Sequence, residues 1–194
     1  KPYIAKEFLE PKNRSREEYL CQLETNAVAM LLAKEWMKTP KGRRGKKISF
    51  IESRALEVDH GGAAAGTSTW YHLEGVVPGR WDKWTDNGGY CDASPQCRTL
   101  LEFAQWTHSW TGGLMMATDL QGGDTGSKAS GWVLTDPAIL CTDESRFGPT
   151  NFDPAAQMSI CCSGLRHAMK RGKSMVDKSA MGSSYRPGFT KRDD

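Results

Sequence analysis

The sequence predicts a single globular domain of the α+β class. Short stretches with the alternation typical of strands recur along most of the chain, and two longer stretches have the spacing of helices. The two kinds of element are mixed without a regular repeat. A length of 194 residues and an apolar fraction of 38% are sufficient for one substantial core.

The N-terminal third predicts a strand followed by a long helix. Residues 3–9 alternate and end before a proline, as strands do. From residue 16 to about residue 37, Leu20, Ala27 and Leu31 recur at helical spacing, so we expect this face to be buried. A proline and a glycine after the helix should stop the pattern.

An acidic residue lies on the same predicted helix face. Glu24 follows Leu20 by one turn, and a buried carboxylate needs a partner, which Lys6 of the preceding strand could supply. The alternative is an exposed glutamate on a slightly rotated helix. Spacing alone does not decide between the two.

The middle of the chain predicts two strands, a polar loop and a second helix. Residues 48–58 and 70–77 are strand-like. The loop between them, residues 60–66, consists mainly of small residues, and its glycines match neither of the phosphate-binding motifs GxxxxGK[ST] and GxGxxG. Residues 81–90 are expected to form a polar, aromatic loop. A helix should begin at Ser94-Pro95 and end at Gly112, with an apolar face formed by Leu100, Phe103, Ala104 and Thr107.

Two acidic segments stand out in the C-terminal half. A short apolar strand, residues 114–118, ends at Asp119-Leu120-Gln121-Gly122, and a second apolar stretch ends at Leu134-Thr135-Asp136-Pro137. Two carboxylates and an amide oxygen suit Mg²⁺, which shares its coordination with water and substrate phosphates. The alternative is that both aspartates are solvated turn residues.

Composition restricts the class of protein. The formal net charge is +3, and the basic stretches 38–47 and 166–178 are expected to be a solvated loop and a tail. We therefore do not expect nucleic acid as a partner. No apolar run approaches a membrane span. The six cysteines lack the spacing of a disulfide framework, which indicates reduced thiols and a cytoplasmic protein. The sequence does not begin with Met, which is consistent with a fragment.

Seven segments follow one another along the chain. They are Ile4-Ala5-Lys6, Leu32-Ala33-Lys34-Glu35-Trp36, His72-Leu73-Glu74, Lys83-Trp84-Thr85-Asp86-Asn87-Gly88-Gly89, Asp119-Leu120-Gln121-Gly122, Leu134-Thr135-Asp136-Pro137-Ala138-Ile139 and Phe147-Gly148-Pro149-Thr150-Asn151. In this order they resemble the α-kinase family, the atypical Ser/Thr protein kinases that include elongation factor 2 kinase and the myosin heavy chain kinases. The resemblance runs from Lys6 to about Pro154.

The resemblance implies a two-lobed protein-kinase-like fold whose N-terminal lobe is incomplete in this chain. Residues 1–73 would form a partial N-terminal lobe, residues 74–165 the C-terminal lobe with the catalytic and metal segments, and residues 166–194 a basic flexible tail. A larger parent chain or complex would supply the missing strands.

The resemblance also implies nucleotide-binding residues. Lys6 would hold the phosphates of ATP, with Glu24 as its helix partner. Glu74 would be the hinge residue where adenine is read through backbone groups. Lys83 and Asn87 would lie near the phosphates and the incoming hydroxyl.

For the chemistry, the resemblance implies Asp119 as the catalytic base, acting together with Lys6. Gln121 and Asp136 would bind Mg²⁺. The implied reaction is transfer of the γ-phosphoryl group of ATP to Ser or Thr of a protein substrate, which depends mainly on positioning and on cations beside the phosphates. The alternative is a catalytically weak or inactive kinase-like scaffold that binds nucleotide or a protein partner.

Three departures from the family pattern affect these expectations. Residues 123–131 lengthen the interval between the two acids, and the glycine-rich motif after the second acid is reduced to residues 148–153. The family's zinc motif is missing. Gln105 stands where a histidine is expected, so we expect no zinc unless an unrelated arrangement recruits other ligands: His108, Cys161, Cys162 and His167.

Overall fold

The structure is a computed structural model that describes residues 2–61, 68–88, 90–92, 94–152 and 189–190. Its helices are α1 (Arg16–Trp36), α2 (Pro40–Arg44) and α3 (Pro95–Trp110), and its strands are β1 (Tyr3–Phe8), β2 (Ile48–Phe50), β3 (Ser53–Asp59), β4 (Ser68–Gly75), β5 (Arg80–Lys83), β6 (Met115–Thr118), β7 (Gln121–Asp124), β8 (Trp132–Thr135), β9 (Ala138–Cys141) and β10 (Phe189–Thr190). Short 3-10 turns span Pro11–Asn13 and Gly148–Thr150. The chain is therefore α+β, as predicted.

The N-terminal sheet has the strand order β10-β1-β4-β3, and every neighbouring pair is antiparallel. Helix α1 packs on one face of this sheet. The Tyr19 ring lies 4.9 Å from the Phe8 ring, and its hydroxyl accepts a hydrogen bond from the Phe8 N–H. Lys6 lies opposite His72 in the register of β1 and β4, so both side chains are on the same face of the sheet.

Helix α1 forms where the sequence predicts it, but with a different face buried. The Ser15 side chain caps it by accepting a hydrogen bond from the Glu18 N–H. Leu20 and Leu31, predicted to be buried, are 39% and 52% exposed. The buried positions are Tyr19, Thr25, Asn26, Ala29, Leu32, Ala33 and Trp36. The helix is rotated by about one residue because aromatic and small side chains fill the interface instead of the two leucines.

Residues 48–58, predicted to form one strand, form two strands in different sheets. β2 pairs in parallel with β8 of the second sheet, whereas β3 pairs with β4 of the N-terminal sheet. Only Ile51 and Glu52 separate β2 from β3. The Asn26 amide holds this crossing by donating hydrogen bonds to the Ile51 carbonyl at 2.8 Å and the Ser53 hydroxyl at 2.7 Å.

The second sheet has the order β2-β8-β7-β5, and β6 and β9 form a two-stranded ladder beside α3. The apolar face predicted for α3 is confirmed, since Leu100, Phe103, Ala104 and Thr107 are all buried in the core. β5 occupies part of the segment predicted to be a loop. The sequence does not indicate this strand because its side chains are mostly exposed, so apolar and polar residues do not alternate along it.

Several expectations concern residues outside the described ranges. These are the glycines of the loop at 62–66, the second basic stretch, 166–178, and the residues Cys161, Cys162 and His167. The division after residue 73 remains a prediction, and β4 continues through it to Gly75. Among the described residues, no helix has the length and apolar character needed to cross a membrane.

Candidate functional site

Asp119 and Asp136 occupy equivalent bends in two paired strands. Asp119-Leu120 connects β6 to β7, and Asp136-Pro137 connects β8 to β9. Both aspartates have positive φ, 55° and 46°, in the left-handed region that few non-glycine residues adopt. Each strand bends at its aspartate and passes from one ladder into the next.

The two bends face each other because one register runs through both ladders. Thr118 lies opposite Ala138 on one side of the bends, and Gln121 lies opposite Thr135 on the other. The residues that lengthen the interval between Asp119 and Asp136 lie away from the two bends, since residues 125–131 form the turn between β7 and β8 beyond the Asp124–Trp132 pair. The additional residues therefore extend the far end of the hairpin and leave the acids opposed.

Asp119 is buried and pairs with Lys83. The carboxylate is 3% exposed, and its Oδ1 lies 2.5 Å from the Lys83 Nζ. Burial raises the pKa of Asp119 from 3.8 to about 6, while the nearby Lys83 ammonium opposes this shift and the Asp86 and Asp136 carboxylates add to it. Near neutral pH the group is mostly ionised and can accept a proton.

Lys6 lies between two carboxylates. Its Nζ is 2.5 Å from Glu74 Oε1 and 2.7 Å from Asp136 Oδ2, so it connects the N-terminal sheet to the second acidic bend. The Thr135 hydroxyl donates a hydrogen bond to Glu74 Oε2 across the same boundary. Burial raises the pKa of Glu74, and so does Asp136, while Lys6 and Thr135 oppose the shift.

His72 completes the cluster, although sequence reasoning gave it no role in the site. Burial lowers its pKa to about 4, so the ring is neutral at pH 7, and its Nε2 lies 3.9 Å from Glu74 Oε2. One ligand atom from each of His72, Glu74 and Asp136 lies within 4.8 Å of the others. The detectable signal was the alternation that places His72 and Glu74 on one face of β4.

The residues around Asp136 fit a magnesium ion. Asp136 Oδ1 is buried without a hydrogen-bond partner among the described residues, although its Oδ2 pairs with Lys6. The Gln121 Nε2 lies 3.5 Å from the Asp136 carbonyl, which places an amide group next to this carboxylate. Asp136 and Gln121 would hold the ion, since Mg²⁺ prefers oxygen ligands. Of the alternative zinc ligands only His108 lies within the described residues, so the expectation about zinc remains a prediction.

The predicted placements of two residues need correction. Glu24 pairs with Arg146 on the exposed side of α1 and not with Lys6, because the rotation of α1 turns Glu24 away from the sheet. Glu74 does not follow the strand as a hinge residue. It lies inside β4 between Ile4 and Ser53, and its side chain binds Lys6.

The Lys83 loop reaches the site through different contacts. The Thr85 hydroxyl accepts a hydrogen bond from the Leu120 N–H at 2.9 Å, next to Asp119. Asn87 is buried, and its amide donates to the Thr150 carbonyl at 3.0 Å, which ties this loop to the Gly148–Thr150 turn. A direct contact of Asn87 with nucleotide remains a prediction.

This fold is that of a protein-kinase-like domain, and comparison with known proteins defines the family. The sequence profile of the alpha-kinase family matches residues 1–159. The chain belongs to the alpha-kinase family.

Individual relatives are considerably longer than this chain. It is 26% identical over 145 residues to alpha-protein kinase vwkA of Dictyostelium discoideum, covering 74% of this chain and 22% of vwkA. It is 25% identical over 150 residues to eukaryotic elongation factor 2 kinase of Rattus norvegicus, covering 77% of this chain and 18% of that kinase. The chain thus spans about a fifth of the length of these relatives.

Solved structures show the same fold. The alpha-kinase domain of myosin-II heavy chain kinase A containing a phosphorylated aspartate superimposes with a TM-score of 0.64 at 23% identity, over 77% of this chain and 57% of that one. An inactive form of the same domain complexed with ATP gives a TM-score of 0.63 at 22% identity, over 78% and 56%.

Proposed function

We propose that this chain is the core of an atypical protein kinase that transfers the γ-phosphoryl group of ATP, with Mg²⁺, to a Ser or Thr hydroxyl of a protein. The observation that carries the proposal is the pair of opposed bends, in which Asp119 and Asp136 each lie beside a lysine. Family membership and the nucleotide complexes of the myosin-II heavy chain kinase A domain support it.

The two acids are suited to different tasks. Asp119, buried and with its pKa raised to about 6, would orient the acceptor hydroxyl and take its proton. Asp136 and Gln121 would hold Mg²⁺, which when bound neutralises charge on the phosphates. Lys6 would place an ammonium group against the same phosphates.

Nucleotide binding requires an exchange of partners at Lys6. Glu74 holds the lysine from its own sheet, and Asp136 holds it from the other. If Lys6 turned to the phosphates, Asp136 Oδ2 would be released beside Oδ1, which has no hydrogen-bond partner among the described residues, and both oxygens would then be available to a cation. Glu74 would then position Lys6 rather than contact adenine.

A transfer assay tests the proposal. Purified protein is incubated with radiolabelled ATP and peptide pools whose fixed acceptor is Ser, Thr or Tyr. We expect Mg²⁺-dependent transfer to the Ser and Thr pools, and loss of transfer in Asp119→Asn and Asp136→Asn. Transfer that persists in Asp119→Asn would exclude Asp119 as the base.

One observation favours the alternative, a scaffold that does not transfer phosphate. The Lys6 ammonium pairs with Asp136 Oδ2, so a cation of the chain itself already occupies part of the proposed metal site. A thermal-shift titration separates the two functions, because ligand at about 100 times its dissociation constant adds roughly 2.7 kcal/mol to stability. A shift with ATP that does not depend on Mg²⁺, together with absent transfer, would favour the scaffold.

We also expect a cytoplasmic location and a protein substrate. Cys21, Cys91, Cys97 and Cys141 are free thiols, as expected for a protein in a reducing compartment. Fractionation of cells that express the tagged protein would check the location.

A further inference from the structure

Thr85 contacts the bend that contains Asp119. Its hydroxyl accepts a hydrogen bond from the Leu120 N–H at 2.9 Å. The N–H groups of Trp84 and Thr85 donate to the Leu120 carbonyl at 3.0 and 3.3 Å. Lys83, immediately before them, contacts the Asp119 carboxylate itself, with 2.5 Å between Nζ and Oδ1. Three consecutive residues therefore hold both the acid and the residue that follows it.

The hydroxyl contact is buried. Thr85 is 4% exposed and Leu120 is 0% exposed, so water does not compete with the hydroxyl as the acceptor of this N–H. A buried N–H without an acceptor is unfavourable. The Thr85 hydroxyl therefore favours the backbone conformation in which the Leu120 N–H points towards it.

Asp119 needs such a contact because its backbone is strained. Its φ of 55° lies in the left-handed region, which is unfavourable for a residue with a Cβ and persists only where the surroundings enforce it. The second bend differs at the equivalent position. Asp136 has a φ of 46°, but it is followed by Pro137, which has no N–H that requires an acceptor. The first bend requires an acceptor, and Thr85 supplies it.

The loop that contains Thr85 is itself fixed to the core. Thr85 forms a β-bridge with Cys91. The Trp84 carbonyl accepts hydrogen bonds from the Asp92 N–H at 2.7 Å and from the Cys97 thiol at 3.3 Å. Cys97 lies in the first turn of α3 and is fully buried. The Thr85 hydroxyl is therefore held in place from the side opposite to the bend.

We propose that Thr85 is a positioning residue of the kinase site. Through Leu120 it holds Asp119 in the left-handed conformation and so orients the carboxylate towards the acceptor hydroxyl. This inference rests on the proposed function, in which Asp119 takes the proton of that hydroxyl. The groups proposed for Mg-ATP have other contacts, since Lys6 pairs with Asp136 and Gln121 lies beside the Asp136 carbonyl. Thr85 should therefore affect the transfer step and not the binding of Mg-ATP.

Replacement of the hydroxyl tests this assignment. Thr85→Val keeps the shape of the side chain but leaves the Leu120 N–H without its acceptor, whereas Thr85→Ser keeps the hydroxyl. With radiolabelled ATP and the threonine peptide pool, we expect kcat to fall by about 10–100-fold in Thr85→Val, because a displacement of about 1 Å at a reacting group has an effect of this size. Thr85→Ser should restore kcat to within about threefold of wild type, and KM for Mg-ATP should stay within about twofold in both variants.

A second threonine controls for a loss of stability alone. The Thr39 hydroxyl also accepts a backbone N–H, that of Gly42 at 3.0 Å, at the start of α2. Among the described residues, the groups around Asp119 and Asp136 come from other elements. Thr39→Val should therefore lose stability, measured by urea unfolding, and keep its kcat. Equal losses of kcat in the two valine variants would overturn the proposal. So would a KM for Mg-ATP that rises in Thr85→Val as far as kcat falls.

One measurement does not depend on transfer. The backbone chemical shifts of Asp119 in solution NMR report whether its φ is positive. We expect left-handed values in the wild type and in Thr85→Ser, and their loss in Thr85→Val, or in Thr85→Ala if the valine variant does not fold. This pattern without any transfer by the wild type would contradict the kinase and support the hold of Thr85 on Asp119. Left-handed values that persist in Thr85→Val would overturn the inference, with or without transfer.

Discussion

Among individual residues, Asp119 and Lys83 together determine the pH dependence of the proposed reaction. Burial raises the pKa of Asp119 to about 6, and Lys83 limits the rise. We predict an acid limb near pH 6 in the pH dependence of kcat/KM, and a limb at higher pH in Lys83→Met, because the cation that favours the carboxylate is removed. Lys83→Arg retains the charge and should keep the limb in place. An acid limb at the same pH in Lys83→Met and in the wild type would contradict the assignment of this limb to Asp119.

The same raised pKa predicts a stability difference. The folded state favours protonated Asp119, so its contribution to the free energy of unfolding falls as pH rises from about 4 to about 6 and is fully unfavourable above that. We expect Asp119→Asn to be more stable than the wild type by roughly 1–3 kcal/mol at pH 8. Below pH 4 the two should coincide. Urea unfolding at both pH values measures this, and equal stability at pH 8 would argue against an ionised, buried Asp119.

At the scale of elements, the β7–β8 hairpin separates the lengthened loop from the acids. We predict that replacing residues 125–130 with a two-residue turn leaves Mg-ATP binding within about twofold of wild type, because the bends lie beyond four intact residue pairs. Gly122→Ala is the contrasting variant, since φ is +145° and its added Cβ would lie 2.4 Å from the Val133 carbonyl oxygen. Isothermal titration with Mg-ATP measures both. Loss of binding in the shortened loop would show that residues 125–130 support the site.

The sequence predicted some elements better than others for physical reasons. Asp119 and Asp136 follow buried apolar strands, so their positions at strand ends could be read directly. The face of α1 could not, because Tyr19 and Asn26 are buried while Leu20 is not. Residues 48–58 are strand-like throughout, and that character does not reveal that the chain changes sheets within them. The pairing of Glu74 with Lys6 required the register of β1 and β4.

At the scale of the whole molecule, the Thr135 and Lys6 contacts hold the two sheets together. We predict that Thr135→Val lowers the free energy of unfolding by about 1–3 kcal/mol, because it leaves the buried Glu74 carboxylate without its hydroxyl donor. Thr135→Ser, which keeps the hydroxyl, should lose much less. Urea unfolding of the three proteins checks this. Equal stability of Thr135→Val and wild type would show that the contact contributes nothing to cohesion.

The crossing at Ile51-Glu52 has a mechanical consequence. Among the described residues it is one of two short connections between the sheets, the other being residues 76–79 between β4 and β5. Two such tethers define an axis, and we expect the N-terminal sheet to rock about the line through them more easily than it slides. Ile51 donates to the Leu134 carbonyl, two residues before Asp136, at 2.8 Å. Rocking would therefore change the gap between Lys6 and Asp136 first, and the width of that gap would report how far the kinase domain is open.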